Sequence, residues 1–188
     1  RPEFAFTSLN TLLFLTGVPL SGKSTITPIV ASSIEGCAQQ SMDIVRLFAQ
    51  EVEAHKPENE RNPFIRYGSC DSYTLIGDGS YSPEGLVQGF NAYSEAVVSL
   101  LKGLIPKLET QGVRNVLFEG VQLTPALVAP FLVDSNKLII VTSSESKLRK
   151  NRDKLYGENQ ELQERYSVEK LLLLQNEILR QSREIPEG

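Results

Sequence analysis

Apolar residues are distributed along this chain in two distinct ways. Leu12-Leu13-Phe14-Leu15, Val116-Leu117-Phe118 and Leu138-Ile139-Ile140-Val141 are continuous apolar runs of strand length. Such runs read as strands covered on both faces, as in a parallel sheet. Gln39 to Met42 is a candidate for another short strand. Between the runs, apolar residues recur every third or fourth position, which is the helical period. Ile26, Ile29, Val30 and Ile34 give a buried stripe to a helix from about Lys23 to Ser33, with Pro28 a source of bending. Ile44 to Ala54 reads as a second helix.

Ser82-Pro83-Glu84 is a helix start: a capping hydroxyl, proline in the first turn and an acid beside it. From there Leu86, Phe90, Tyr93, Val97, Leu101, Leu104 and Leu108 predict one long amphipathic helix, kinked at Pro106 and ended by Gln111-Gly112. Polar helices are expected from Ser144 to Tyr156 and from Gln160 to Ser182. Residues 55–82 carry little periodicity and several Gly and Pro, and read as a loop or cap inserted over a substrate site. Strands alternating with helices predict an α/β fold: a three-layer α/β/α sandwich around a parallel sheet, in a single domain.

The 188 residues suit one domain, and 40% hydrophobic content is enough for a core. No apolar run has membrane-spanning length, and no secretory signal is visible, so a cytoplasmic protein without a membrane partner is expected. Arg1-Pro2-Glu3-Phe4 reads as a processed, truncated or engineered start, within an extension over residues 1–10. The net charge of −4 gives no basic footprint, so no nucleic-acid partner is expected. Cys37 and Cys70 have neither a CxxC spacing nor a paired His, and read as reduced thiols. His55, the one histidine, lies in a polar run and reads as a solvated residue.

The chemistry concentrates in "TGVPLSGKST", Thr16 to Thr25. Gly17, four residues, then Gly22-Lys23-Ser24 is the P-loop spacing. Gly17, Val18, Pro19, Leu20, Ser21, Gly22, Lys23, Ser24 and Thr25 form the expected nucleotide cradle. Backbone N–H groups and the following helix terminus face an anion. Lys23 carries a point charge to the β- and γ-phosphates, Ser24 a hydroxyl to Mg²⁺, and Thr25 lies near the α-phosphate. The loop falls between a strand and an amphipathic helix, the context the motif requires. The expected ligands are ATP and Mg²⁺.

A P-loop protein also needs an acid at a neighbouring strand end, and Glu119 follows Val116-Leu117-Phe118 directly. Glu119 is therefore a candidate for metal placement with Ser24, or for the catalytic base. The guanine-reading N-K-x-D of switch GTPases is missing, since Asn136-Lys137-Leu138 continues with Ile139. A motor ATPase would be longer. Small kinases carry a basic lid after the fourth strand, and residues 144–166 supply Lys147, Arg149, Lys150, Arg152 and Lys154. Arg149 and Arg152, three apart, share a helix face and could clamp a moving phosphoryl group.

"NVLFEGVQLTPAL", Asn115 to Leu127, resembles the E-G-V-H-L-x-P-G segment of the 2-phosphoglycerate kinases. Tyr67 to Val97, with Gly89-Phe90 and Glu95-Ala96-Val97, is similar to the stretch that precedes it there, and Ser41 to Phe48 resembles that family's T-D-x-I-R segment. The likeness runs loosely over Leu12 to Ser182. Gln122 stands where the family has His, Ala126 where it has Gly, and Met42-Asp43 where it has T-D. The family's last strand is missing from the chain, which stops at Ile185-Pro186-Glu187-Gly188. The resemblance implies a Mg·ATP-dependent kinase of a small acidic metabolite. By it Asp43 stands where such kinases place an acid that contacts the acceptor hydroxyl, the alternative being a plain N-cap of the second helix, and Arg46, one turn on, could then meet the acceptor's phosphate or carboxylate. Ser69, Tyr73 and Gln122 are further substrate-pocket candidates. Uridine kinases and phosphoribulokinases share the E-G segment and are the nearest rivals. A non-catalytic ATP-sensing module is the alternative of a different class.

Overall fold

The computed structural model describes residues 9–132 and 136–185. The Arg1–Phe4 start and most of the 1–10 extension lie outside the described residues, as do 133–135 and 186–188. Four strands, β1 (Thr11–Thr16), β2 (Cys37–Ser41), β3 (Asn115–Glu119) and β4 (Lys137–Ile140), form one parallel sheet in the order β2-β3-β1-β4. Leu15 is in register with Glu119, and Ser41 with the same residue from the other side. The carboxyl ends of β1, β2 and β3 therefore open at one level. Ligands of open parallel sheets bind there, where neighbouring strands lead off to different helices.

Side-chain alternation divides the sheet into two apolar layers. Leu13, Leu15 and Leu117 face helix α1 (Lys23–Ser32), whose Ile26 and Val30 cover them with Ile34 just beyond its end. Leu12, Phe14, Val116 and Phe118 face the opposite layer, which includes α4 (Pro83–Val98), α5 (Leu101–Thr110) and α9 (Val168–Ser182). Phe14 and Phe118 stack across β1 and β3 at 6.1 Å. Helices on both faces of a parallel sheet make the expected α/β/α architecture. One residue of the α1 stripe departs from expectation: Ile29 is 65% exposed, and the small Thr27 and Ala31 take the buried positions.

The single helix expected from Ser82 to Leu108 is two. Ser99 Oγ donates to the Ala96 carbonyl, and Leu100, Lys102 and Gly103 bond back by three residues rather than four. That tightened turn ends α4 and redirects the chain into α5. Pro106 lies inside α5 and does not cause the break. Gln160 to Ser182 is also interrupted. After α7 (Glu145–Tyr156), α8 (Gln160–Arg165) stops at Tyr166, and Ser167 starts α9 as its cap, accepting from the Lys170 N–H. Residues 55–82 contain α3 (Pro63–Arg66) and short 3₁₀ turns. This segment seats on α4 at Gly89, where a Cβ would come within 2.5 to 2.6 Å of the Ser72–Tyr73 backbone. Helix α2 (Met42–Ala54) follows β2 without a loop, and the exposed His55 ends it beside Glu51.

The α4–α9 contact contains a buried acid. Glu177 accepts from Arg180 Nε and Nη2, Gln181 Nε2 and Asn91 Nδ2 at 2.8 to 3.2 Å. The Arg180 bonds, foremost, hold its carboxyl down at about 2, from an ordinary 4.5. A depressed folded-state value stabilises above the unfolded value and is lost as pH falls through the folded one. Glu177→Gln should lower the thermal midpoint near neutrality. Its difference from the wild type should shrink as pH drops from 4.5 toward 2, as a thermal-melt series would record.

Candidate active site

The chain leaves β1 through the P-loop. Gly17 has φ +152, and a Cβ there would collide with the Val141 carbonyl oxygen. Gly22, at φ +101, is the N-cap of α1. Both positions need the freedom of glycine. Leu20 is a left-handed residue with a side chain, at φ 67, a conformation that L residues adopt only at a cost. Its carbonyl accepts from Asn151 Nδ2 at 2.9 Å, and the Ser21 carbonyl accepts from Ser143 Oγ at 2.9 Å. Helix α7 and the turn after β4 thus hold the loop from above.

Lys23 Nζ turns back to donate to the Val18 carbonyl at 3.0 Å. Burial lowers its pKa, against the opposing pull of the Glu119 and Asp43 carboxylates. Those three groups, Ser24, Thr25, Arg46 and Ser69 line one cavity of about 760 Å³ at the carboxyl ends of the strands. Several buried polar atoms at this end of the sheet have no partner among the described residues: Thr16 Oγ1, Ser21 Oγ, Arg46 Nε, Glu119 Oε2 and Gln122 Oε1. Arg46 and Glu119 line the cavity itself, and unpartnered buried polar atoms, rare in folded proteins, mark its wall as a place for a polar ligand. Ser24 and Glu119 also border a neighbouring depression together, so a hydroxyl and an unpartnered carboxylate oxygen are available to a hard cation. No group of three or more His, Cys, Asp or Glu among the described residues could hold a metal unaided. A divalent ion would therefore draw on phosphate oxygens as well.

Four catalytic or substrate-pocket candidates lie outside the cavity lining. Tyr73 is set edge-on to Tyr81 with Lys170 over both rings, outside the cavity lining. Arg149 pairs with Glu145 at 2.8 Å and Arg152 with Asp153 at 2.8 Å. Helical phase explains the two arginines. Asn151, Lys154 and Leu155 of α7 reach the cavity, and Lys147 Nζ lies 4.0 Å from where a Gly22 Cβ would stand. Positions 147, 151 and 154 share a face that 149 and 152 do not. Gln122, expected to touch substrate, is 0% exposed and instead donates from Nε2 to Asp43 Oδ1 at 2.7 Å and to Tyr93 Oη at 2.5 Å.

Tyr93, Lys154, Tyr156 and Tyr166 were not singled out from the sequence as pocket residues, yet all line the cavity. Tyr93 belongs to the α4 core stripe, and only its hydroxyl gives it a polar task. Tyr156 and Tyr166 stack at 5.2 Å with 19° between ring planes. The spacing of the basic residues, tested against helical phase, would have found Lys154.

No family model matches the sequence, and no curated protein matches it. The fold does match a solved chain from the Pnkp1/Rnl/Hen1 RNA repair complex, over 100% of this chain, with a TM-score of 0.51 and 17% identity. This chain spans 49% of that one. A chain from a second structure of the Pnkp1/Rnl/Hen1 complex aligns over 79% of this chain and 40% of its own, at 17% identity and a TM-score of 0.36. The class these findings define is an α/β protein with an all-parallel sheet flanked by helices, a fold shared with a chain of that RNA repair complex. The 2-phosphoglycerate kinase resemblance gains no support from them. The expectation of no nucleic-acid partner is overturned, because a chain of an RNA repair complex has this fold. Net charge averages the whole surface, whereas Lys23, Arg46 and Lys154 put cations into one cavity. Among the described residues no helix is long and apolar enough to cross a membrane.

Proposed function

We propose that this protein moves the terminal phosphate of Mg·ATP to a hydroxyl of an anionic acceptor. The observation that carries the reading is the meeting, in one cavity, of Lys23 with Asp43, Glu119 and Arg46. Lys23 and the loop N–H groups would hold the polyphosphate. Ser24 and Glu119 would hold a divalent cation, which supplies charge compensation on the phosphate oxygens. Asp43, at the start of α2, is the group to accept the hydroxyl proton. The acceptor oxygen forms its bond to the terminal phosphorus as the bond to the ADP oxygen breaks, and the proton passes to Asp43. Lys154 and Lys147, on the cavity side of α7, take the charge-stabilising task expected of Arg149 and Arg152.

Arg46 supports an acceptor with charge of its own. Its Nε is buried, has no partner among the described residues and belongs to a side chain of the cavity wall. A guanidinium fork suits phosphate or carboxylate, which lysine grips as a point charge. A small acidic metabolite of the phosphoglycerate type fits these terms. The stacked pair Tyr156–Tyr166 on the same wall favours a second reading, an oligonucleotide end whose base rests against the tyrosines. ATP consumption with hydroxy-acid phosphates and with 5′-hydroxyl oligonucleotides, in parallel, separates the two. On the active acceptor, Arg46→Lys should raise KM roughly tenfold, the worth of one charge-assisted bond, and leave the KM for ATP unchanged. An unchanged acceptor KM would remove Arg46 from the site.

A further inference from the structure

Gln122 sits in the turn after β3, and the surrounding structure is shaped to keep it there. A Cβ on Gly120 would strike Gln122 Oε1 and come 2.7 Å from Met42 Cβ, so glycine is what lets the amide fold back against the end of the strand. The side chain is 0% exposed, and its Oε1 has no partner among the described residues. A buried amide oxygen without a partner costs stability, and the fold bears that cost with the Nε2 end engaged on two cavity groups. Those groups come from separate elements: Asp43 from α2 and Tyr93 from α4.

The bonding directions are fixed by chemistry. Only the NH₂ end of an amide can meet a carboxylate, so Nε2 faces Asp43, and the Tyr93 oxygen, on the second N–H, is an acceptor. Tyr93 thereby keeps its own proton to give. Burial, reinforced by the Asp43 carboxylate, pushes the phenol far above its ordinary value, so that proton stays on. Asp43 spends Oδ1 on the amide and has Oδ2 left for the cavity.

We propose that Gln122 is a positioning residue: its amide clamps the Asp43 carboxylate and the Tyr93 phenol into a matched acceptor–donor pair, one to take the acceptor's proton and the other to donate to a neighbouring acceptor oxygen. The inference rests on the phosphotransferase reading for its catalytic consequence, but the clamp itself is testable without turnover. Gln122 then selects for acceptors with an oxygen beside the reacting hydroxyl, since the phenol and the carboxylate are held on the same amide nitrogen.

The test has two arms. In the first, ¹⁵N-labelled free protein is examined by NMR for the Gln122 side-chain NH₂. The expected result is two slowly exchanging protons, both displaced from the shifts of a solvated glutamine amide. Asp43→Ala should shift one of them and Tyr93→Phe the other. Fast-exchanging protons at the shifts of a solvated amide that ignore both substitutions would overturn the clamp whatever the enzyme does. In the second arm, release of inorganic phosphate from Mg·ATP is followed with water as acceptor, and then with whichever hydroxyl compound proves active. Gln122→Met, which removes both bonds and keeps the volume, should lower kcat roughly tenfold at an unchanged KM for ATP. Gln122→Glu, closer in shape but placing a second carboxylate against Asp43, should lower it further. A packing role predicts the opposite order, and that order would overturn the proposal. Two protected amide protons that respond to Asp43→Ala and Tyr93→Phe, in a protein that never releases or transfers phosphate, would leave the clamp standing and defeat the phosphotransferase reading instead.

Discussion

Lys23→Ala should cut phosphoryl transfer by roughly 100-fold or more and abolish the stabilisation of the protein by Mg·ATP, with the fold intact. In the free protein Lys23 is a desolvated cation whose hydrogen bond goes to a loop carbonyl. Its pKa is lowered by burial and propped up only by Glu119 and Asp43. Such a group contributes little to the unliganded fold, and its removal relieves a burial cost. What it loses is a charge-assisted contact to phosphate. A ligand present at about 100 times its dissociation constant stabilises by about 2.7 kcal/mol, a shift of several degrees that thermal melts resolve. The wild type should show that shift and Lys23→Ala should not, while the unliganded midpoints agree within a few degrees. Equal ATP shifts in the two proteins would remove the P-loop from the account.

Asp43→Asn carries the second large effect, a fall in kcat of roughly 10² to 10⁴, the range for a general base. The substitution preserves shape, and the Asn oxygen can still accept from Gln122 Nε2, so the local geometry survives. The ATP-induced thermal shift should remain, since Asp43 acts on the acceptor side of the cavity. Loss confined to kcat, with ATP stabilisation unchanged, separates a base from a structural acid. Glu119→Gln supplies the contrast. If Glu119 serves the cation, its loss should weaken the Mg²⁺ dependence of ATP binding, and a full ATP shift at low Mg²⁺ in that variant would argue against it.

Contiguity governed what the sequence could reveal. The P-loop is legible because the nine residues from Gly17 to Thr25 lie in one unbroken stretch and their phosphate-facing groups are backbone N–H, lysine and hydroxyl. The strands are legible because a doubly covered strand is a run of apolar residues, and Glu119 follows from such a run. Gln122 was visible as a pocket residue but not as the link between Asp43 and Tyr93. Its partners stand 79 and 29 positions away, and no local rule joins them. Tyr93 was hidden by its neighbours, since its ring belongs to the α4 core stripe and only its hydroxyl reaches the site. In the basic segment of α7, charge and a three-residue spacing point to the face carrying Arg149 and Arg152. Asn151 fixes the phase, because its amide holds the Leu20 carbonyl, and the same phase brings Lys154 inward. The helix breaks at Ser99 and at Tyr166-Ser167 depend on hydroxyls that divert or cap the backbone, a short-range competition that an apolar stripe does not register.

Transfer of phosphate by this cavity, as opposed to binding of nucleotide alone, is read by following the terminal phosphate of [γ-³²P]ATP, with Mg²⁺, into hydroxyl compounds that carry a phosphate or carboxylate and into 5′-hydroxyl oligonucleotides. Phosphoryl transfer in this cavity predicts a labelled acceptor with the wild type, none with Lys23→Ala, and a yield at least 100-fold lower with Asp43→Asn. ATP that binds tightly yet labels no acceptor, with label released to water at the same rate in Asp43→Asn as in the wild type, would contradict it.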